Sequence, residues 1–395
     1  MPVLHRICSI PVFVFFVWIL AACTDSVQKK QQEILDRDSV LMVYNHREAS
    51  PQIDAFMKKL HQRSAFNGNV LVAKKGKILY QNAFGWANYL LKDSLTIESV
   101  FELASVSKPI TATAILQLIE KGKLRLDQEV TELIPDFPYE GVTIQQLLTH
   151  RSGLPNYIYF TDTIWPDKRK GMSNDDAMSL LAQHKPAPYA SPDNRFFYNN
   201  TNYMVLASIV EKVSKLSFPD YMQTHVFGPA GMKNSAVYST AVYEKIPTKV
   251  IGHDKVWRRS VVQNFQDGTM GDKGIYSTVQ DLYRFDQALR DEILLKKETQ
   301  KLAYEGYNKP VRKVFNYGLG WRVYQPDDAH VVYHTGWWHG FKSLFIRDLK
   351  NDVTIVFLTN LANGSLLHLD ELYKILEMPV IRQEAYSSNG EYLGK

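Results

Sequence analysis

The sequence predicts a mixed α/β (α+β) fold: one antiparallel sheet of five-stranded type, flanked by helices, with an all-helical lobe inserted between strands drawn from both ends of the chain. Three observations carry that expectation. β-type runs lie near the start of the body and return near its end, helical periodicity fills the middle, and glycines or capping residues mark the boundaries. The 395 residues are 45% hydrophobic and 22% charged, an ordinary globular composition long enough for two lobes. A net charge of +5 is small for this length, and no basic run is interleaved with aromatics, so nucleic acid is not an expected partner.

Taken in order, the first 22 residues read as an export signal rather than a fold element. His5 and Arg6 make a short basic start, and Ile10 to Leu20 are almost wholly apolar but too short to span a bilayer comfortably. Leu20-Ala21-Ala22-Cys23 resembles the bacterial lipobox, which implies cleavage before Cys23 and a lipid anchor on its thiol. The expected location is a bacterial membrane, on its periplasmic or cell-surface face. An ordinary cleaved signal or an uncleaved anchor would export the chain as well. With Cys8 in the discarded segment and Cys23 acylated, the body keeps no thiol, so disulfides, cysteine zinc sites and a cysteine nucleophile are excluded. Residues 23–50 read as a polar tether.

In the body, residues 51–395, Asn69–Ala73 and Lys77–Tyr80 flank Lys74-Lys75-Gly76 as a hairpin. Residues 105–121 predict a helix, with Ile110, Ala114, Ile115, Leu118 and Ile119 at helical spacing and Gly122 as its stop. Further helices are predicted over Thr143–Leu148, Ser173–Leu181 and Asn202–Val213, the last capped by Asn200 or Thr201. Strands return at Tyr317–Tyr324, His330–His334, Lys342–Arg347 and Val353–Leu358, and a helix follows over Ser365–Leu376. These elements divide into a sheet lobe, about 51–135 and 255–395, and a helical lobe, about 136–254.

Chemistry is expected at the start of the first long helix. Ser105 and Lys108 are three apart, on one helical face one turn from each other. A serine hydroxyl is a poor nucleophile until something takes its proton, and a neighbouring lysine can take or polarise it where the surroundings disfavour the charged ammonium. The helix start adds a free N–H and a positive dipole end to stabilise an oxyanion, and Pro109 is tolerable there because it lies in the first turn. The spacing alone decides little, since Ser26 and Lys29 share it in the tether. Two further groups give it weight: Tyr198-Asn199-Asn200, a phenol and an amide before a helix, and His334-Thr335-Gly336 after a β-type run and before Trp337-Trp338.

Together these motifs resemble the serine β-lactamase and penicillin-binding-protein superfamily, nearest the branch of class C β-lactamases, D,D-carboxypeptidases and related esterases. The likeness extends through Ser105–Asp127, Leu147–Leu154, Phe227–Met232, Gly274–Thr278 and Tyr317–Trp321, and spans about Ile53 to Asn360. It implies a β-lactamase/transpeptidase-like fold, with Ser105 attacking a carbonyl to form an acyl-enzyme while Lys108 and Tyr198 share the proton traffic. Asn200 would hydrogen-bond the substrate amide or Lys108, and His334, Thr335 and Gly336 would line the substrate. The N–H groups of Ser105 and Trp337 would form the oxyanion hole. Water then deacylates the serine, completing hydrolysis of an ester, amide or peptide bond, with no cofactor and no metal. One departure stands out: His334 replaces the lysine of β-lactamases and many D,D-peptidases, and imidazole, with a reference pKa of about 6.5, is mostly uncharged at neutral pH. That shifts the expected substrate away from efficient β-lactam hydrolysis and towards groups lacking a carboxylate.

Plainer readings apply elsewhere. His150 reads as a capping or packing residue, His339 as a surface loop residue, and Trp337 and Trp338 either pack or bind an acyl group. No Gly-x-Ser-x-Gly elbow or His-Glu-x-x-His cluster occurs, and Gly268, Gly271 and Gly274 lack the context of a nucleotide loop. The partner expected is a small-molecule or peptide substrate, besides the membrane reached through the anchor. The rival reading is a non-catalytic or single-turnover module that binds penicillin or cell-wall fragments, and a true β-lactamase is the third. The sequence sets no oligomeric state.

Overall fold

Helix α1 (Pro51–Ser64) opens the body and turns Ile53, Phe56, Met57 and Leu60 inward; its proline sits in the first turn, where a missing N–H costs nothing. The computed structural model describes residues 50–239, 244–245, 250–308 and 315–381, with Gln32. The expected export signal, the Cys23 lipid site and the Ser26/Lys29 pair lie outside the described residues. Contacts divide the chain into Met1–Val43 and Tyr44–Lys395, and the sheet, its helices and the cleft all belong to the second unit.

The hairpin of β1 (Gly68–Lys74) and β2 (Lys77–Phe84) turns through Lys75 and Gly76, both at positive φ (51° and 69°), as a two-residue connection between twisted strands requires. Between Glu102 and Ala236 every described element is helical. Helix α2 (Ser107–Glu120) is buried on nearly all sides, α3 covers Tyr157–Ile164, α4 covers Asn174–His184, and α5 covers Asn200–Ser214. The nucleophile candidate precedes α2, in a 3-10 turn over Ala104–Val106. The cap of α5 is Asn199, whose side chain accepts from the Thr201 N–H, rather than Asn200 or Thr201. That shift leaves the Asn200 amide for another partner.

Helix α6 (Val279–Arg290) returns the chain to the sheet, followed by β3 (Phe315–Tyr317), β4 (Arg322–Tyr324), β5 (Val331–Trp338), β6 (Phe341–Asp348), β7 (Val353–Thr359) and α7 (Asp370–Ile375). The seven strands pair antiparallel in the order β2-β1-β7-β6-β5-β4-β3, so the two ends of the body meet at the β1–β7 seam, with Val70 opposite Phe357. The five long strands form the expected core of the sheet, and two three-residue strands extend it. The run Tyr317–Tyr324, expected as one strand, is a hairpin. Its turn carries Gly320 at φ 89°, where a Cβ would also come within 2.4 Å of Ala112. The expected helix Ser365–Leu376 is likewise divided, into a 3-10 turn Ser365–Leu367 and α7.

One face of the sheet packs Val72, Ile355 and Phe357 against α1 and α7 through Met57, Leu372 and Tyr373. Each such buried side chain contributes roughly 1.5–3 kcal/mol. Helix α6 is fixed to the sheet by Asp286, which accepts from Arg347 Nε at 2.5 Å and Arg290 Nε at 3.0 Å. A second, three-stranded sheet pairs Phe101–Glu102 with Ile275–Ser277 and the latter with Ala236–Val237, fixing the chain just before the 3-10 turn. Among the described residues no helix is long and apolar enough to cross a membrane.

Candidate active site

Three anchors hold the backbone around Ser105. Ala104 sits at φ 49°, a left-handed conformation that costs a non-glycine residue about 1–2 kcal/mol and persists only where the surroundings impose it. The Glu102 carboxylate imposes part of it, accepting the Ala104 N–H at 3.2 Å and the Gly274 N–H at 2.8 Å. Burial pushes that carboxyl up to about 7 against these two bonds. Ser343 on β6 donates to the Leu103 carbonyl at 2.6 Å. Gly336 on β5 passes so close that a Cβ would meet Ser343 Oγ at 2.2 Å and the Leu103 oxygen at 2.4 Å. Glycine is therefore required there by proximity, because the strand edge and the serine loop touch through backbone.

Lys108, completely buried on the first turn of α2, brings three remote segments together. Its Nζ lies 2.9 Å from Ser105 Oγ, 2.8 Å from Asn200 Oδ1 and 2.9 Å from the Asp272 carbonyl. A lysine Nζ can donate at most three hydrogen bonds, and three acceptors surround this one. The 269–274 loop that supplies the carbonyl is itself held by a buried cation: Lys273 Nζ donates to Tyr157 Oη at 2.8 Å, and Tyr157 donates to Asp272 Oδ2 at 3.0 Å. The Tyr198 ring completes the surround, its centroid 5.0 Å from Lys108 Nζ.

His334 does not point into solvent as a charged handle would. It is fully buried and belongs to a chain of hydrogen bonds whose direction can be worked out. His150 Nδ1 accepts from the Asn199 N–H (3.1 Å) and lies 3.2 Å from Asn202 Nδ2, so its proton is on Nε2, which donates to Tyr317 Oη at 3.2 Å. At the other end His334 Nδ1 donates to the Thr335 carbonyl at 2.8 Å, leaving Nε2 to accept from Tyr317 at 3.0 Å. Burial, reinforced for His334 by Arg322 and Lys108 and for His150 by Lys108 and His334, holds both imidazoles well below the usual histidine range. Both are neutral at pH 7. His150, read from the sequence as a cap or packing residue, also supports the Tyr198 ring at a centroid distance of 4.3 Å.

Ser105, Tyr198, Asn200, Thr335, Gly336 and Trp337 line one cleft of about 480 Å³, with Arg322, Lys342 and Trp338. Arg322 is the residue sequence reasoning missed. Its guanidinium stands 5.3 Å from the Tyr198 ring centroid, so the fixed positive charge absent from position 334 enters the cleft from β4. A lone arginine two residues beyond a glycine turn is a weak signal, and strand pairing alone brings it here. The Asp272 carbonyl left no trace in the sequence, since a backbone atom has no residue signature. His339, expected in a surface loop, stacks on Trp338 at 4.2 Å with its Nδ1 3.3 Å from Asp267. Trp337 is exposed on the cleft rim, whereas the Trp338 indole donates to Asp267 at 2.5 Å. Among the described residues no group of three or more His, Cys, Asp or Glu side chains could hold a metal ion.

A sheet closed by the two ends of the body, with a serine and a buried lysine between it and a helical insertion, defines the class. Residues 53–377 match the Beta-lactamase family, and the chain belongs to it; the family is one of serine hydrolases. Among its relatives is penicillin-binding protein 4* of Bacillus subtilis, 35% identical over 322 residues that cover 78% of this chain and 71% of that protein. Of solved structures, the octameric penicillin-binding protein homologue from Pyrococcus abyssi superimposes with a TM-score of 0.72 at 26% identity, over 83% of this chain and 77% of that one. A D-amino acid amidase from Ochrobactrum anthropi shares the fold, with a TM-score of 0.67 at 22% identity over 83% and 96% of the two chains.

Proposed function

We propose that the protein is a serine hydrolase that works through an acyl-enzyme on an ester, amide or peptide bond. The observation that carries this reading is the 2.9 Å contact between Lys108 Nζ and Ser105 Oγ, with Nζ fixed from two other sides by Asn200 and Asp272. In the acylation step, Ser105 Oγ attacks the carbonyl carbon as its proton passes to Lys108 acting as the neutral amine, and Lys108 then returns that proton to Tyr198 once the phenol has protonated the leaving group. The oxyanion is met by the N–H groups of Ser105 and Trp337, an arrangement whose single donors are typically worth about 3–4 kcal/mol at other acyl-transfer sites. The Tyr198 hydroxyl hands a proton to the leaving group, and water repeats the sequence to free the serine. Asn200 serves here by orienting Lys108.

The relatives that bind penicillin and the position of Arg322 together favour a substrate with a carboxylate near the scissile bond. This replaces the inference from His334 alone, in which the cleft lacks a fixed cation. Arginine is suited to the task because its charge persists at all working pH values and its fork matches a carboxylate. The protein acts outside the cytoplasm, held by an acylated Cys23. Ser105→Ala is expected to lose all turnover of a D-alanyl peptide or an activated ester while melting as the parent does; retained turnover would remove Ser105 from the mechanism.

A further inference from the structure

Two turns on the body expose apolar side chains that the fold has no use for. In the turn between Trp86–Asn88 and Asp93–Ser94, Leu90 and Leu91 are 84% and 66% exposed. In the turn closed by the His253–Ser260 bridge, Val256 and Trp257 are 72% and 71% exposed. The turns are neighbours: the Ile251 N–H donates to the Ala87 carbonyl at 3.0 Å, and the Arg258 guanidinium lies 4.9 Å from the Tyr89 ring centroid. Four exposed cations, Lys92, Lys255, Arg258 and Arg259, ring the apolar tips. The acidic residues there are Asp93 and Asp254, and Asp254 is turned to the Trp257 N–H at 2.9 Å. The second turn also abuts the cleft. Gly252 packs so tightly on the β5–β6 connection that a Cβ would come within 1.9 Å of the His339 carbonyl, two residues from the exposed Trp337.

We propose that Leu90, Leu91, Val256 and Trp257, with Lys92, Lys255, Arg258 and Arg259, form a docking surface that seats the body on an anionic lipid bilayer, cleft rim towards the headgroups. Isolated aliphatic and indole side chains on the tips of turns suit insertion into an acyl boundary, whereas a protein partner is met by a flatter, close-packed patch. Tryptophan is favoured at the membrane interface, and lysine and arginine beside it are drawn to anionic headgroups, each strengthening binding about fivefold near such a surface. The surface fixes the orientation of the body, which an anchor at the end of a tether cannot do. It stands whether or not Ser105 turns over a substrate.

The test uses the full chain with Cys8→Ser and Cys23→Ser, bearing a single environment-sensitive bimane label at Leu91→Cys, at Trp257→Cys or, as control, at exposed Glu298→Cys. Each is bound to vesicles of phosphatidylcholine and phosphatidylglycerol (about 3:1) containing doxyl-labelled lipid. The expected result is quenching of at least twofold at 91 and 257 and none at 298, falling back to the control level in Arg258→Gln/Arg259→Gln. If the protein sediments with the vesicles yet the labels at 91 and 257 are quenched no more than at 298, the proposal is overturned, and the patch faces an aqueous partner such as another protein.

Discussion

Removing one oxygen atom from Tyr317 tests whether His334 is a buried member of a relay or a substrate handle. Tyr317→Phe keeps the ring, which packs on His150 at a centroid distance of 4.8 Å, and deletes only the hydroxyl between His150 Nε2 (3.2 Å) and His334 Nε2 (3.0 Å). One buried donor and one buried acceptor then lose their partner in a region without solvent, since Tyr317, His150 and His334 are all buried. Each unmatched group costs about 1–3 kcal/mol, and the variant is expected to lose about 3 kcal/mol in total. Urea unfolding followed by tryptophan fluorescence reads this directly. With a slope of about 3 kcal/mol per molar, the midpoint falls by roughly 1 M. A shift below roughly 0.3 M, at unchanged slope, would refute the relay and return His334 to the cleft.

The same geometry sets three more outcomes. Glu102 titrates at about 7 in the fold against 4.5 as a free side chain. The folded state therefore holds its proton more tightly, and this group's contribution to stability is lost as pH rises from about 4.5 through 7, by about 3 kcal/mol at about 1.4 kcal/mol per pH unit. In Glu102→Gln that slope disappears, measured as the change in urea midpoint between pH 5 and pH 8 relative to the parent. Gly336→Ala must push β5 away from Leu103 and Ser343, and a displacement approaching 1 Å is expected to lower kcat/KM about 100-fold in steady-state assays with little change in helix content by circular dichroism. Arg322→Gln is expected to raise KM about tenfold or more for a substrate with a carboxylate beside the scissile bond and to leave a neutral ester unchanged, because a hydrogen bond to a charged group is worth about 1.5–3 kcal/mol. Equal effects on both substrates would place the carboxylate elsewhere.

How much of this was legible in the sequence depends on how far each feature reaches along the chain. The three-residue spacing of Ser105 and Lys108 sets them one turn apart, although Ser105 lies in the 3-10 turn before the helix, and alternating strands at both ends of the body foretold a sheet closed by those two ends. Local chemistry also gave the Lys75-Gly76 turn. What stayed hidden depends on contacts between distant residues. His334 looks the same in sequence whether it faces solvent or Tyr317, and its loss of charge comes from burial and from Arg322 and Lys108. The cap of α5 moved by one residue, and that step decides whether Asn200 faces the helix or Lys108. Glu102 sits three residues before Ser105, yet its partner, the Gly274 N–H, immediately precedes a strand that only the small second sheet brings near.

The most direct test is the intact mass of the protein against time after mixing with a penicillin and, separately, with an activated D-alanyl ester, beside Ser105→Ala. The expected result is a covalent adduct on the parent, located by peptide mapping to Ser105, that decays at the rate of product release and never forms on the variant. An adduct that forms equally on Ser105→Ala, or turnover of the ester with no acyl-enzyme at Ser105 on any timescale, would contradict it.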